Sequence, residues 1–150
     1  MTGQIVDPSG RPYSWGERSL RIRRGLHPKL LTVFDAALYY RDIALLEGHR
    51  DEDTQNFYYT TGKSKVQYPN SKHNVYPSRA VDAIPYPFNP EWWNVERYFY
   101  VWCEWGSWVK GLAAGKGIKL RWGFDWDGDF DLKDQTFYDG PHFELCEEEE

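Results

Sequence analysis

Four residues of this chain have the types needed for hydrolytic metal chemistry: His73, Asp82, Asp139 and His142. Two imidazoles and one carboxylate would leave a tetrahedral zinc one open position for water, the arrangement of catalytic rather than closed structural sites. His142 lies in Asp139-Gly140-Pro141-His142-Phe143-Glu144-Leu145. Gly-Pro predicts a sharp turn there, and His-Phe-Glu-Leu alternates polar and apolar as a half-buried strand would. Asp139 would then sit just across the turn, where a carboxylate suits the base that deprotonates an activated water. His73 and Asp82 lie 9 positions apart and His142 follows 60 positions later, so only tertiary assembly could join them. A lone histidine is more often a surface or hydrogen-bonded core residue, and spacing by itself leaves that alternative open.

The elements that must position these residues can be read from periodicity and punctuation. Residues 1–17, with Gly, Pro and Ser, read as an N-terminal arm, followed by Arg18, Arg21, Arg23 and Arg24 as a solvated basic surface. Pro28 opens a helix; Leu26, Leu30, Val33, Phe34, Ala37 and Leu38 form its core-facing stripe. Ile43–Glu47 reads as a short strand. Asp51 caps the next helix, which runs through Gln55 and Tyr58-Tyr59 to Gly62. Residues 63–78 form a polar loop containing His73, and 79–84 a strand that Pro85, Pro87 and Pro90 end. The longest helix is expected from near Glu91, with Val95, Tyr98, Trp102, Trp105, Val109 and Leu112 at helical spacing as its buried face. Gly115 and Gly117 close it, and 118–122 is a further strand. The order of elements predicts an α+β fold, helices packed on a small, mainly antiparallel sheet, in one domain over 18–146 with an acidic tail at 147–150.

Composition narrows the function. A chain of 150 residues can bury a core without disulfides. Net charge of −5 argues against nucleic acid as a partner. No apolar run is long enough for membrane insertion, and the N-terminus lacks the apolar core of a signal peptide. Cys103 and Cys146 lack the spacing of a zinc site and read as structural thiols. Asp125, Asp127, Asp129 and Asp131 place hard oxygen donors on alternate positions, which suits Ca²⁺. The loop departs from the EF-hand pattern, with Phe130 at position 6 and Thr136 at position 12, and a solvated acidic loop is the alternative.

Ser71-x-His73, Ala80-Val81-Asp82 and Asp139-Gly140-Pro141-His142-Phe143-Glu144-Leu145 together resemble the signature of the zinc peptidases that include D-alanyl-D-alanine carboxypeptidases and L-alanyl-D-glutamate endopeptidases, the latter above all in its phage-lysin branch. Glu47-Gly48-His49-Arg50 with Gln55, Gly62-Lys63-Ser64-Lys65 and Arg121-Trp122-Gly123 with Asp125-Trp126 support the likeness, in the family's order over about residues 18–145. The resemblance implies a hedgehog/DD-peptidase-like fold and zinc on His73, Asp82 and His142. It gives Asp139 the role of general base and proton shuttle. Arg50 would polarise the scissile carbonyl or hold a substrate carboxylate, while Ser71 and Gln55 position the peptide. One departure stands out: the family's usual His-x-x-Gly-x-Ala-x-Asp spacing is two residues shorter than here, where Asn74-Val75-Tyr76-Pro77-Ser78 intervenes.

The expected activity is therefore that of a monomeric phage endolysin cutting the L-Ala–D-Glu bond of peptidoglycan stem peptides. It would be made in the host cytoplasm and reach the wall with a holin or a virion. Two alternatives make different predictions. A D-Ala-D-Ala carboxypeptidase would leave other termini, and a non-catalytic wall-binding module using exposed Trp and Tyr would bind wall in the presence of chelator and release no peptide.

Overall fold

A computed structural model of the chain describes residues 13–135 and 137–146. Residues 1–12 of the expected arm, the 147–150 tail and Thr136 lie outside the described residues. Helices α1 (Glu17–Arg23), α2 (Pro28–Tyr40), α3 (Glu52–Thr60) and α4 (Phe99–Gly115) accompany strands β1 (Ile43–Glu47), β2 (Ala80–Pro85), β3 (Leu120–Gly123) and β4 (Asp139–Leu145). The strands form one antiparallel sheet in the order β1-β2-β4-β3, so the α+β expectation holds. No helix among the described residues is long and apolar enough to cross a membrane.

Local chemistry explains most boundaries. The His27 side chain accepts from Lys29 N and Pro28 occupies the first turn of α2, whose Leu30, Val33, Phe34, Ala37 and Leu38 are all buried as their spacing predicts. Asp51 caps α3 by accepting from Thr54 N, and Gly62 follows the helix at φ +81°. The boundary drawn between arm and domain falls inside α1, and its basic cluster is not wholly solvated: Arg23 is ion-paired with Asp35 of α2, which also accepts from Trp15 Nε1.

The longest helix begins later than periodicity suggests. Asn89 accepts from Glu91 N and holds Pro90–Trp93 in a 3₁₀ turn, and Asn94 accepts from Arg97 N, so local side-chain bonds compete with a helix until Phe99. From there Trp102, Trp105, Gly106, Val109 and Ala113 face inward, while Val95 and Leu112 pack half-buried at the margin. Trp105 Nε1 donates to Ala83 O and Trp122 Nε1 to Gly140 O, so these core rings bury their area without stranding a donor. Trp122 lies on the bare backbone of Gly106, where a Cβ would come within 1.9 Å of the indole. Cys103 and Cys146 are free thiols.

A second difference concerns Gly140-Pro141. The pair makes no turn; both residues lie inside β4. Gly123 pairs with Asp139 and Trp122 with Phe143, so the intervening residues of β4 bulge out of register. Pro141, which has no N–H to donate, is tolerated at this irregularity. A Cβ at Gly123 would lie 1.9 Å from Asp139 O, and the close crossing there depends on glycine.

Candidate active site

The register of the sheet builds the site. Asp82 on β2 is directly opposite His142 on β4. His73 comes from outside the sheet, on a 3₁₀ turn at Lys72–Asn74 that Ser71 caps by accepting from His73 N while Asn74 Oδ1 accepts from Ser71 N. Asn74 Nδ2 donates to Arg50 O and His73 O accepts from Arg50 N, tying the turn to the segment after β1.

His73 Nε2, Asp82 Oδ1 and His142 Nδ1 form a compact triangle. The separations are 3.3 Å from His73 Nε2 to His142 Nδ1, 3.3 Å from His73 Nε2 to Asp82 Oδ1, and 3.1 Å from His142 Nδ1 to Asp82 Oδ1. The outer nitrogens fix the tautomers of the neutral rings. His73 Nδ1 lies 2.6 Å from Gly48 O, a carbonyl that can only accept, and His142 Nε2 lies 2.8 Å from a carboxylate oxygen of Glu144. Both outer nitrogens therefore carry the proton, and two imidazole lone pairs point with Asp82 Oδ1 at one place. Metal–ligand bonds of about 2.0–2.1 Å at tetrahedral angles put ligand atoms about 3.3 Å apart, so spacing and donor chemistry both fit a divalent ion. His73 and His142 are buried and Asp82 half-buried.

Without a cation, these groups share the charge among themselves. Burial opposes protonation of His142, but its hydrogen bonds to Asp82 and Glu144 outweigh burial and raise it to about 10. Asp82 is held far below the usual carboxylate range because the charges of His73 and His142 and their hydrogen bonds overcome its burial. Asp139 goes the other way: burial, then repulsion from Asp82, raises its carboxyl to about 6. Trp126 lies against His142, with ring centroids 5.2 Å apart.

These groups open into a cleft of ≈ 910 Å³, which Asp139, Arg50 and Ser71 also line. Arg50 is buried, with Nε donating to Glu47 Oε1 at 2.8 Å and Nη1 to Gln55 Oε1 at 2.7 Å. Ser71 serves as the cap already described. Gln55 does not reach the cleft. It is fully buried, accepts from Arg50 and Asn74, and donates to Ser64 Oγ and Val66 O. Its expected contact with peptide is thus corrected to that of a brace behind Arg50.

The sequence profile of the phage L-alanyl-D-glutamate peptidase family matches residues 12–146. The chain belongs to this family. The solved structure of the L-Ala D-Glu endopeptidase ChiX of Serratia marcescens is similar, with a TM-score of 0.65 and 29% identity over 87% of each chain. A comparison with curated protein sequences finds no match.

Within this phage L-alanyl-D-glutamate peptidase fold, the long His73–Asp82 connection turns away from the cleft. Ser78 N donates to Gly25 O and Ser78 O accepts from His27 N, while Tyr76 packs edge-on to His49. The connection is held against the α1–α2 junction, and none of residues 74–81 lines the cleft. Glu144, to which the sequence reading gave no role, orients His142 and is itself flanked by Lys72 at 3.6 Å and Arg121 at 3.5 Å. The signal was present: residues two apart on a strand share a face, so His-x-Glu places the carboxylate beside the ring.

A second group forms in the acidic loop. Asp125, Asp127 and Asp129 bring one oxygen each within 4.8 Å of one another, whereas Asp131 does not join them and accepts from Lys133 N. Asp125 is buried and its Oδ1 has no hydrogen-bond partner among the described residues.

Proposed function

We propose that this chain hydrolyses the L-alanyl–D-glutamate bond of peptidoglycan stem peptides as a zinc enzyme. The observation that carries the reading is the convergence of His73 Nε2, Asp82 Oδ1 and His142 Nδ1 at tetrahedral spacing, in a chain of this family. Nitrogen and carboxylate donors in that geometry favour zinc among the common divalent ions. Zinc held there would supply Lewis acidity, polarising the scissile carbonyl and lowering the pKa of water toward about 7.

The chain's own residues do the rest. Asp139, ionised at neutral pH, takes the proton of the attacking water on a carboxylate oxygen and later delivers it to the departing D-glutamyl amine. Arg50 lines the cleft with Nη2 making no hydrogen bond among the described residues, available to the carbonyl oxygen as it gains negative charge. Gly48 O and Glu144 hold both imidazole rings in the productive tautomer. Trp126, Phe137 and Tyr138 wall the cleft and limit water around the reacting groups. Support for calcium on Asp125, Asp127 and Asp129 comes from their hard oxygen donors and the buried, unpartnered Asp125 Oδ1.

Mass spectrometry of purified sacculi after digestion, with and without chelator, tests the assignment. New L-alanine C-termini and D-glutamate N-termini that vanish with chelator are expected. Release of D-alanine alone would transfer the chain to carboxypeptidase chemistry, and wall binding without cleavage would make it a binding module.

A further inference from the structure

The protein is acidic overall, yet its cleft is edged by cations that the catalytic groups do not use. Arg50 is balanced by Glu47, and Lys72 and Arg121 face Glu144. Lys63 and Lys65 also line the cleft, both exposed, and among the described residues neither ammonium meets a carboxylate. Each rests on an aromatic face instead. Lys63 Nζ lies 4.1 Å from the Tyr58 ring centroid, and Arg50 Cζ lies 4.7 Å from that same centroid. Lys65 Nζ lies 5.7 Å from the Phe137 centroid, and Phe137 stacks on Trp126, which covers His142. The two ammonium groups, two positions apart in the chain, thus stand along one cleft, one ring beyond Arg50 and two beyond His142. An aromatic face attracts an ammonium through its quadrupole without accepting a conventional hydrogen bond, so the N–H donors remain available to an anion.

The proposed substrate has one such anion beside the reacting bond. A glutamyl residue inside a peptide uses only one of its two carboxyl groups in the chain. The other stays free, here on the residue that supplies the scissile nitrogen. We infer that Lys63 and Lys65 form the subsite for the free carboxylate of the D-glutamyl residue, an inference that rests on the proposed L-alanyl–D-glutamate cleavage. Arg50, its charge matched by Glu47, is then left to the carbonyl oxygen. The resemblance left Arg50 to choose between these two tasks, and the subsite divides them between different residues.

Two synthetic stem peptides test this, both amidated at the C-terminus and differing only in a free or amidated D-glutamyl carboxylate. With the zinc-loaded protein, the free acid should be preferred about 10-fold in kcat/KM, the lower range for a hydrogen bond to a charged group, chiefly through KM. That preference should shrink as salt is added. In Lys63→Gln/Lys65→Gln it should fall to near parity and lose its salt dependence, whereas Lys63→Arg/Lys65→Arg should restore it. A wild type that cleaves both peptides equally well, or a glutamine variant that keeps the preference, overturns the subsite and leaves the bond assignment standing. A wild type that cleaves neither peptide between L-alanine and D-glutamate overturns both.

Discussion

Asp139 and His142 stand three positions apart on one strand, and their surroundings push both upward from their ordinary values with opposite consequences for charge. The Asp139 carboxyl, raised to about 6 by burial and by Asp82, must be ionised to act as a base. Activity should therefore fall as pH drops through its pKa. A bound cation adds to the stabilisation from His142, His73 and Arg50, so the acid limb of kcat/KM is expected at or below about pH 6. Asp139→Asn should keep the metal and lose about 10²- to 10⁴-fold in turnover, checked by metal analysis beside single-turnover hydrolysis; loss of metal with activity would make Asp139 a ligand instead. His142 carries the opposite signature. Its metal-free pKa of about 10 means that it is protonated at pH 7, yet it must be neutral to ligate. Metal uptake at pH 7 should thus release about one proton, with apparent affinity rising as pH rises toward 10. Titration calorimetry in two buffers of different ionisation enthalpy measures that proton directly, and uptake without release would contradict the arrangement. The residue types of this centre were legible in the sequence. Its charge states were not, because Asp82 reaches His142 only through sheet register and His73 only from a distant turn.

Among the elements, β4 and α4 position the centre, and both departed from what local rules predicted. Gly140-Pro141 carries every mark of a turn, but Gly123 on β3 lets the chains cross closely enough to keep β4 continuous through a bulge. That outcome depends on a residue 17 positions upstream of Gly140, which no window of neighbouring sequence contains. Helix α4 likewise loses its predicted first turns to the Asn89 and Asn94 side chains, whereas α2, β1 and α3 follow their stripes and caps closely because nothing competes with them. Gly106 shows how α4 governs the strands. Alanine there would raise intrinsic helix propensity by about 1 kcal/mol, but its Cβ would enter the Trp122 indole. Overpacking of this kind costs about 1–3 kcal/mol, so Gly106→Ala should lower the urea midpoint despite the better helix former. Trp122 pairs with Phe143 on β4, so the same substitution should weaken metal retention as well. A variant as stable as wild type would mean that Trp122 relocates freely.

On the scale of the whole molecule, negative charge is gathered on one loop that also walls the active cleft. Burial and the nearby Asp129, Asp127 and Asp131 raise Asp134 to about 6, and burial and Asp127 raise Asp125. These carboxylates thus repel one another, which disfavours their ionised forms. The same loop delivers Trp126, which donates through Nε1 to Phe137 O and packs against His142. A hard divalent ion bound by Asp125, Asp127 and Asp129 would cancel the repulsion and satisfy the buried Asp125 Oδ1, steadying Trp126 over His142. Binding to the folded state alone stabilises by about 2.7 kcal/mol at a hundredfold excess over Kd. Millimolar calcium should therefore raise Tm by several degrees, and magnesium should do so less, because it sheds its waters reluctantly. Asp125→Asn, with a single carboxylate changed, should abolish the calcium shift while leaving the metal content of the His73–Asp82–His142 group intact, since Asp125 is not one of its members. Calorimetry showing no calcium uptake at millimolar concentrations would reduce the loop to a solvated acidic surface. Calcium uptake with hydrolysis rates unchanged would separate the stability of this wall from the chemistry beside it.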